Sequence, residues 1–425
     1  MTAAAGGDDH TVHVAVTWSA VTVDGRPGCQ RRDIQIVDRG TGEGAALAAV
    51  LEAEDGVDDR PAGLVRRPPA KPIVVELRPF DDPAGVEVVG SWDGVAQPCR
   101  RVVLADFVLR MATRRHLDDH PEATHLHAGA ATDGSGRAVV VMGASGAGKS
   151  TMVAHLVHLG LGLVTDEQLA VLGGGVVGGF TRPIAVKTGG EAYLPGDVGT
   201  RLRSTAPAGT ETHLVPPTAF GGEHRLSGTA ALLVVLERAE PTGTDDGPGP
   251  SEGGSGGSSG TTVRSTATPV DPAQAMELLC ANNLDLVRDP ADRLAHLAAL
   301  AATTPMVRLG YEHSEAGALT VVDLLADAPP APNVTWSVAR SVDAWPAATS
   351  IHPVLRPAPD VFTVSLGEER LLFGARSRAL VRLNQAGAAV WDHLPESDGT
   401  VPFEQAELVA FLRSHHLVEL VDPAL

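Results

Sequence analysis

The stretch GASGAGKS at 143–150 limits what this chain can fold into more than any other. It follows the apolar run RAVVVM, which reads as a strand, and opens KSTMVAHLVHLG, whose apolar spacing predicts a helix. Gly143, Gly148, Lys149 and Ser150 satisfy the pattern G-x-x-x-x-G-K-[ST]. The composition of the chain gives about 0.004 matches by chance, so accident does not account for it. A strand, a glycine-rich turn and a helix in that order form a phosphate cradle. The glycines let successive N–H groups turn inward, and the helix N-terminus adds partial positive charge.

The cradle assigns roles residue by residue. Gly143, Ala144, Ser145, Gly146, Ala147, Gly148, Lys149, Ser150 and Thr151 are expected to bind a nucleoside triphosphate, ATP or another. Lys149 should reach the β- and γ-phosphates, and the Ser150 hydroxyl should ligate Mg²⁺. Further on, LGLVTDEQL reads as a short strand ending in Asp166 and Glu167. An acid at such a strand end can hold Mg²⁺, and a second can take a proton from an attacking hydroxyl. The same pair could also be two solvated acids. Before the loop, HLHAGAAT places His125 and His127 on one face of a strand, where a catalytic or a core histidine are both readings.

The bulk of the chain narrows the setting. A net charge of −19 over 425 residues argues against a general nucleic-acid binder and against a basic membrane-surface protein. Cys29, Cys99 and Cys280 are too scattered for a zinc knuckle or a disulfide framework, which suits a reducing cytoplasm. The start MTAAAGGDDHTVHV has no basic-then-apolar signal, and no apolar run reaches the length of a membrane span.

Along the chain, residues 1–100 read as short strands between Gly, Pro and Asp turns, and 101–116 as a helix. Residues 101–327 are expected to form the nucleotide-binding domain. Within them the tract 241–261, PTGTDDGPGPSEGGSGGSSGT, is too polar to bury a core and is expected to be a disordered loop. DPAQAMELLCANNL and DPADRLAHLAALAATT read as helices with Asp-Pro starts suited to capping. PMVRLGYE reads as a strand and EAGALTVVDLLAD as a helix. The Pro- and Ala-rich residues 328–359 read as a linker, and 360–425 as a small α+β unit of three strands and two helices.

Residues 125–170, LHAGAATDGSGRAVVVMGASGAGKSTMVAHLVHLGLGLVTDEQL at their centre, resemble the catalytic core of HPr serine kinase/phosphorylase and its bacterial relatives. The resemblance extends more loosely over 100–325. It implies an α/β phosphate-loop domain of HPr-kinase/PEP-carboxykinase-like type. In it Asp166 is the general base, His127 assists, and Glu167 stands where the family has a second Asp. FTRPIAVK and HLVPPTAFG are similar to kinase-related members, which makes Arg182 and Lys187 candidates for steadying phosphate. The family's HPr-binding signature is not visible.

The C-terminal stretch, with LNQAGAAVWDHL at 383–394, resembles the PqqD-like fold, a small winged-helix module. Such modules bind the leader of a ribosomally made precursor peptide as an added strand. The segment after WDHL is short, so the family's middle helix is expected to be truncated or missing. The resemblances together imply an Mg-ATP-dependent kinase for a Ser or Thr hydroxyl on such a peptide, with a homo-oligomer possible. The alternatives are a nucleotide-binding peptide chaperone without transfer and a kinase for a small-molecule hydroxyl.

Overall fold

The computed structural model describes residues 10–23, 26–51, 65–66, 71–82, 84–90, 94–119, 121–179, 182–205, 211–238, 265–344, 354–393 and 406–421. They form mixed α/β structure with several sheets. The tract 241–261 lies outside them, as does the stretch after WDHL where the middle helix is expected to be truncated or missing.

The first sheet contains β1 (His10–Val23), β2 (Arg26–Asp38), β3 (Val65–Arg66), β4 (Ile73–Pro79), β5 (Gly85–Gly90) and β6 (Ala96–Arg100), with α1 (Gly44–Leu51) between β2 and β3. Alternation in β4 buries Ile73, Val75 and Leu77 on one face. Helix α2 (Leu104–Asp119) covers that face with Leu104, Val108, Leu109 and Ala112, all buried. The expected boundary at 100/101 therefore separates a helix from the sheet whose core it completes. The helix belongs with the N-terminal region.

The central sheet holds β7 (Thr124–His127), β8 (Gly129–Thr132), β9 (Arg137–Met142), β10 (Gly162–Thr165), β11 (Gln168–Val171) and β12 (Val176–Gly179), with α3 (Lys149–His158) after β9. A hairpin of β13 (Ile184–Lys187) and β14 (Thr212–Val215) stands apart, with α4 (Val198–Thr205) between its strands. The central sheet is completed by β15 (Ser227–Arg238), β16 (Ser265–Val270) and β17 (Met306–Tyr311). Strand β15 runs parallel to β9 and β17. Its apolar run LLVVL is buried from both sides, which is why it lacks alternation.

Three helices complete this region: α5 (Pro272–Ala281), α6 (Pro290–Thr303) and α7 (Ser314–Ala326). The odd-even pattern of β9 divides them. Ala138, Val140 and Met142 face α5 and α6, whereas Val139 and Val141 face α3 and α7. Asp271 caps α5 by accepting from the Gln274 N–H at 2.9 Å. Asp289 makes no such bond at the start of α6, so only one Asp-Pro start caps as expected.

The C-terminal part contains β18 (Trp336–Arg340), β19 (Val354–Pro357), β20 (Val361–Leu366), β21 (Glu369–Gly374), β22 (Ala379–Leu383), α8 (Gln385–His393), α9 (Ala406–Ser414) and β23 (Val418–Val421). Two of these strands lie in the expected linker 328–359. Strand β18 pairs with β20 and β19 with β23, so the linker reading is corrected. One face of the β18-β20-β21-β22 sheet places Phe362, Val364, Leu371 and Phe373 in the core shared with α5 and α6. The other face buries Leu372 and Leu383 against Trp391 of α8 and Leu412 of α9. This unit thus sits across the central sheet from α3.

Candidate functional site

Strand β8 is antiparallel to both β9 and β10, so β9 and β10 run the same way and end at one edge of the sheet. The glycine-rich turn leaves β9 at that edge, and Asp166 and Glu167 leave β10 there. The short strand expected to end in these acids is β10, and a second strand, β11, begins directly after them. The register of β7 on β11 sets His127 opposite Gln168, next to Glu167. The backbone therefore gathers the loop, the acids and His127 at one place.

The turn has the conformation its glycines permit. Gly148 has φ +90° directly before α3. A Cβ there would lie 2.5 Å from the Tyr311 hydroxyl, which itself donates to the Ala147 carbonyl at 2.6 Å. Tyr311 is buried at the end of β17 and supports the loop from beneath. Lys149 folds back, donating from Nζ to the carbonyls of Gly143 at 2.8 Å and Ala144 at 3.3 Å. Burial pulls its pKa down from the ordinary lysine range.

The acids sit on a buried guanidinium. Arg182 Nη1 donates to Glu167 Oε2 at 2.7 Å, and Nε lies 3.3 Å from Asp166 Oδ1. Arg182 and Asp166 are each 1% exposed. Burial opposes the charge on Arg182, but the carboxylates of Asp166, Glu167 and Asp106 outweigh it and raise its pKa. Burial pushes the Asp166 carboxyl above the usual range, with Arg182 acting against that shift. Arg182 therefore lies under the acids and is not among the residues lining the cleft, so its assignment as a phosphate contact is corrected. Lys187 is exposed and lines the cleft as that reading requires.

Asp166 Oδ2 accepts from the Ala185 N–H at 2.8 Å and from Ser150 Oγ at 3.4 Å. Its Oδ1 makes no hydrogen bond among the described residues. That oxygen faces the Arg182 guanidinium, so it is Oδ2, beside the Ser150 hydroxyl, that suits Mg²⁺, which takes few protein ligands and completes its shell with phosphate and water. Glu167 has one oxygen held by Arg182, which leaves the other for the cleft. No group of three His, Cys, Asp or Glu side chains that could hold a metal by themselves occurs among the described residues.

The two histidines have different neighbours. His125 is 2% exposed and its Nδ1 lies 2.8 Å from Asp285, which also pairs with the buried Arg293 at 3.2 Å. That cluster ties β7 to the α5–α6 connection. His127 faces the cleft, where burial and then Lys149 lower its pKa, so its ring is neutral near pH 7.

A cleft of about 650 Å³ joins His127, Lys149, Ser150, Thr151, Asp166 and Glu167. Its far walls come from residues without a sequence motif. Helix α2 contributes Asp106 and Arg110, which pair at 3.3 Å, and Asp106 also lies 3.9 Å from Arg182. Glu211 of the β13–β14 region bonds Arg100 across to the N-terminal sheet. Tyr193 lines another wall. The 106/110 spacing of one helical turn was the only trace of these walls in the sequence.

No protein-family profile matches the chain, and no curated protein does. Among solved structures, the HPr(Ser) kinase/phosphatase from Coxiella burnetii is similar over 48% of this chain and 94% of that one. At 11% identity and a TM-score of 0.22, that likeness decides nothing about fold or chemistry.

Proposed function

We infer that the protein is an Mg-ATP-dependent phosphotransferase of HPr-kinase-related type acting on a hydroxyl group. The observation that carries this reading is the convergence of a G-x-x-x-x-G-K-S turn at the head of α3 with Asp166, whose carboxylate meets Ser150 Oγ at 3.4 Å. Backbone N–H groups of 143–151 bind the triphosphate, and Lys149 swings from its carbonyl partners onto the β- and γ-phosphates. Ser150 and Asp166 would hold Mg²⁺, with Glu167 as a further candidate ligand, and the bound ion would offset charge on the phosphates.

Asp166 accepts the proton of the acceptor hydroxyl as the new O–P bond forms and the bond from the γ-phosphorus to the bridging oxygen breaks, leaving ADP. Neutral His127 lies beside Asp166 to orient the hydroxyl.

The acceptor is a Ser or Thr of a ribosomal precursor peptide, recruited by the C-terminal unit acting as a PqqD-like module. Two observations support this. Strand β22 pairs with β21 alone among the described residues, which leaves an edge for an added strand. The helices that carry the unit are also tied to the strand bearing His127, since the carbonyl of Asn282, just past α5, accepts from the His127 backbone N–H at 2.7 Å.

The test is transfer of label from [γ-³²P]ATP to precursor peptides encoded beside this protein, run with wild type and Asp166→Asn. Labelled peptide with wild type alone is the expected result. Equal labelling by both proteins, or nucleotide binding with no transfer to any peptide, contradicts it.

A further inference from the structure

The charges around the cleft do not balance. Each carboxylate that lines it has an arginine. Asp166 and Glu167 share Arg182, Asp106 pairs with Arg110 at 3.3 Å, and Glu211 pairs with Arg100. The two lysines of the wall are left over. The Lys149 ammonium donates to the carbonyls of Gly143 and Ala144, and neither it nor Lys187 makes an ion pair among the described residues. Two ammonium groups without carboxylate partners in one cleft match a ligand of more than one negative charge.

Strand β13 fixes where Lys187 stands. Ile184 and Val186 are buried in the core packed on α3, so Ala185 and Lys187 face the other way, and both line the cleft. The Ala185 N–H is the group that donates to Asp166 Oδ2 at 2.8 Å. Lys187 follows on the same face, about 7 Å further along the strand. The strand that holds the acid thus also carries the ammonium. Pairing with β14 keeps it there, with Lys187 opposite Thr212 and the Thr188 N–H donating to the Glu211 carbonyl at 3.0 Å. The charge on Lys187 reaches both Lys149 and His127: burial is the main cause that lowers the pKa of each, and Lys187 lowers both further. Lys187 is therefore near the phosphate-binding lysine, near His127 and on the strand bonded to Asp166.

We propose that Lys187 contacts the γ-phosphate from the acid side of the cleft and stabilises the charge on the phosphoryl group as it passes to the acceptor hydroxyl. This rests on the phosphotransferase reading above and adds a catalytic residue to it. Lys149 then serves the bridge between the β- and γ-phosphates, and Lys187 serves the γ-phosphate alone. Lys187 neither gives nor takes a proton in this role. It acts as a fixed charge aimed at the oxygens of the transferring group.

Calorimetric titration of wild type, Lys187→Ala and Lys187→Arg with Mg²⁺ and either ADP or the non-hydrolysable imido analogue of ATP tests this. The two ligands differ in the group that Lys187 is assigned to hold. Lys187→Ala should weaken the triphosphate analogue about tenfold and change ADP affinity less than about twofold. Lys187→Arg keeps the charge and should recover most of the loss. Equal losses for both nucleotides, no loss for either, or a Lys187→Arg variant as weak as Lys187→Ala would overturn the γ-phosphate contact and leave the phosphate cradle standing. Wild type that binds neither nucleotide would overturn the cradle, and the phosphotransferase reading with it.

Discussion

At Gly148 two constraints meet in one residue. Its φ of +90° is strained for any side chain, and its missing Cβ makes room for the Tyr311 hydroxyl at 2.5 Å. Gly148→Ala is expected to abolish measurable nucleotide binding. Tyr311→Phe in the same chain should restore part of it, because it removes the collision and leaves the backbone strain. Full rescue would show that the conformation is of no consequence. Arg182 is the second such residue. Arg182→Gln strands Asp166 as an unpaired buried acid, which should cost about 3–5 kcal/mol in denaturant unfolding. His224, 5% exposed, has its pKa lowered by burial to about 4. The unfolded chain takes up that proton below about 6.5 while the folded chain refuses it, so stability is full above that pH and declines as pH falls towards 4. The loss is about 3 kcal/mol over the window, and His224→Asn should flatten the profile of denaturation midpoints.

Among the elements, those with a strong period were legible and those defined by partners were not. Fixed spacing exposed the cradle, and apolar spacing exposed α3, α5, α6 and α7. Strand β18 was hidden because Pro and Ala dominate its surroundings, and its WSVAR alternation has meaning only beside β20. Arg182 was found but misread, since nothing in its spacing from Asp166 says that it packs beneath the acids. Asp106, Arg110 and Tyr193 reach the cleft from segments far apart in the chain, and no local pattern reports such a meeting. Helix α6 was legible as a helix, but its spacing does not say that it serves two sheets at once. Leu297→Ala, at a fully buried site, should cost about 2–5 kcal/mol and shift the unfolding of both sheets together. Two separate transitions, with only one of them moved, would contradict a shared core.

On the scale of the whole molecule, the N-terminal sheet, the central sheet and the C-terminal unit are joined through helices. Helix α2 carries the first into the cleft, and α5 with α6 hold the last against the central sheet. Removing everything after residue 327 would bare the apolar faces of α5 and α6 that now meet Phe362, Val364 and Phe373. The shortened chain is expected to aggregate or to bind a hydrophobic dye strongly; a well-behaved, dye-negative fragment would show the unit to be a detachable appendage. The arrangement as a whole has meaning only if the edge where β9 and β10 end receives a nucleotide. Titration calorimetry of the full chain with Mg²⁺ and ATP, beside Lys149→Ala, examines that directly. A saturable one-site isotherm for wild type that collapses by at least about a hundredfold in affinity or disappears for Lys149→Ala is the expected result. Folded wild-type protein that gives no heat at millimolar nucleotide, or a variant that binds as wild type does, would contradict it.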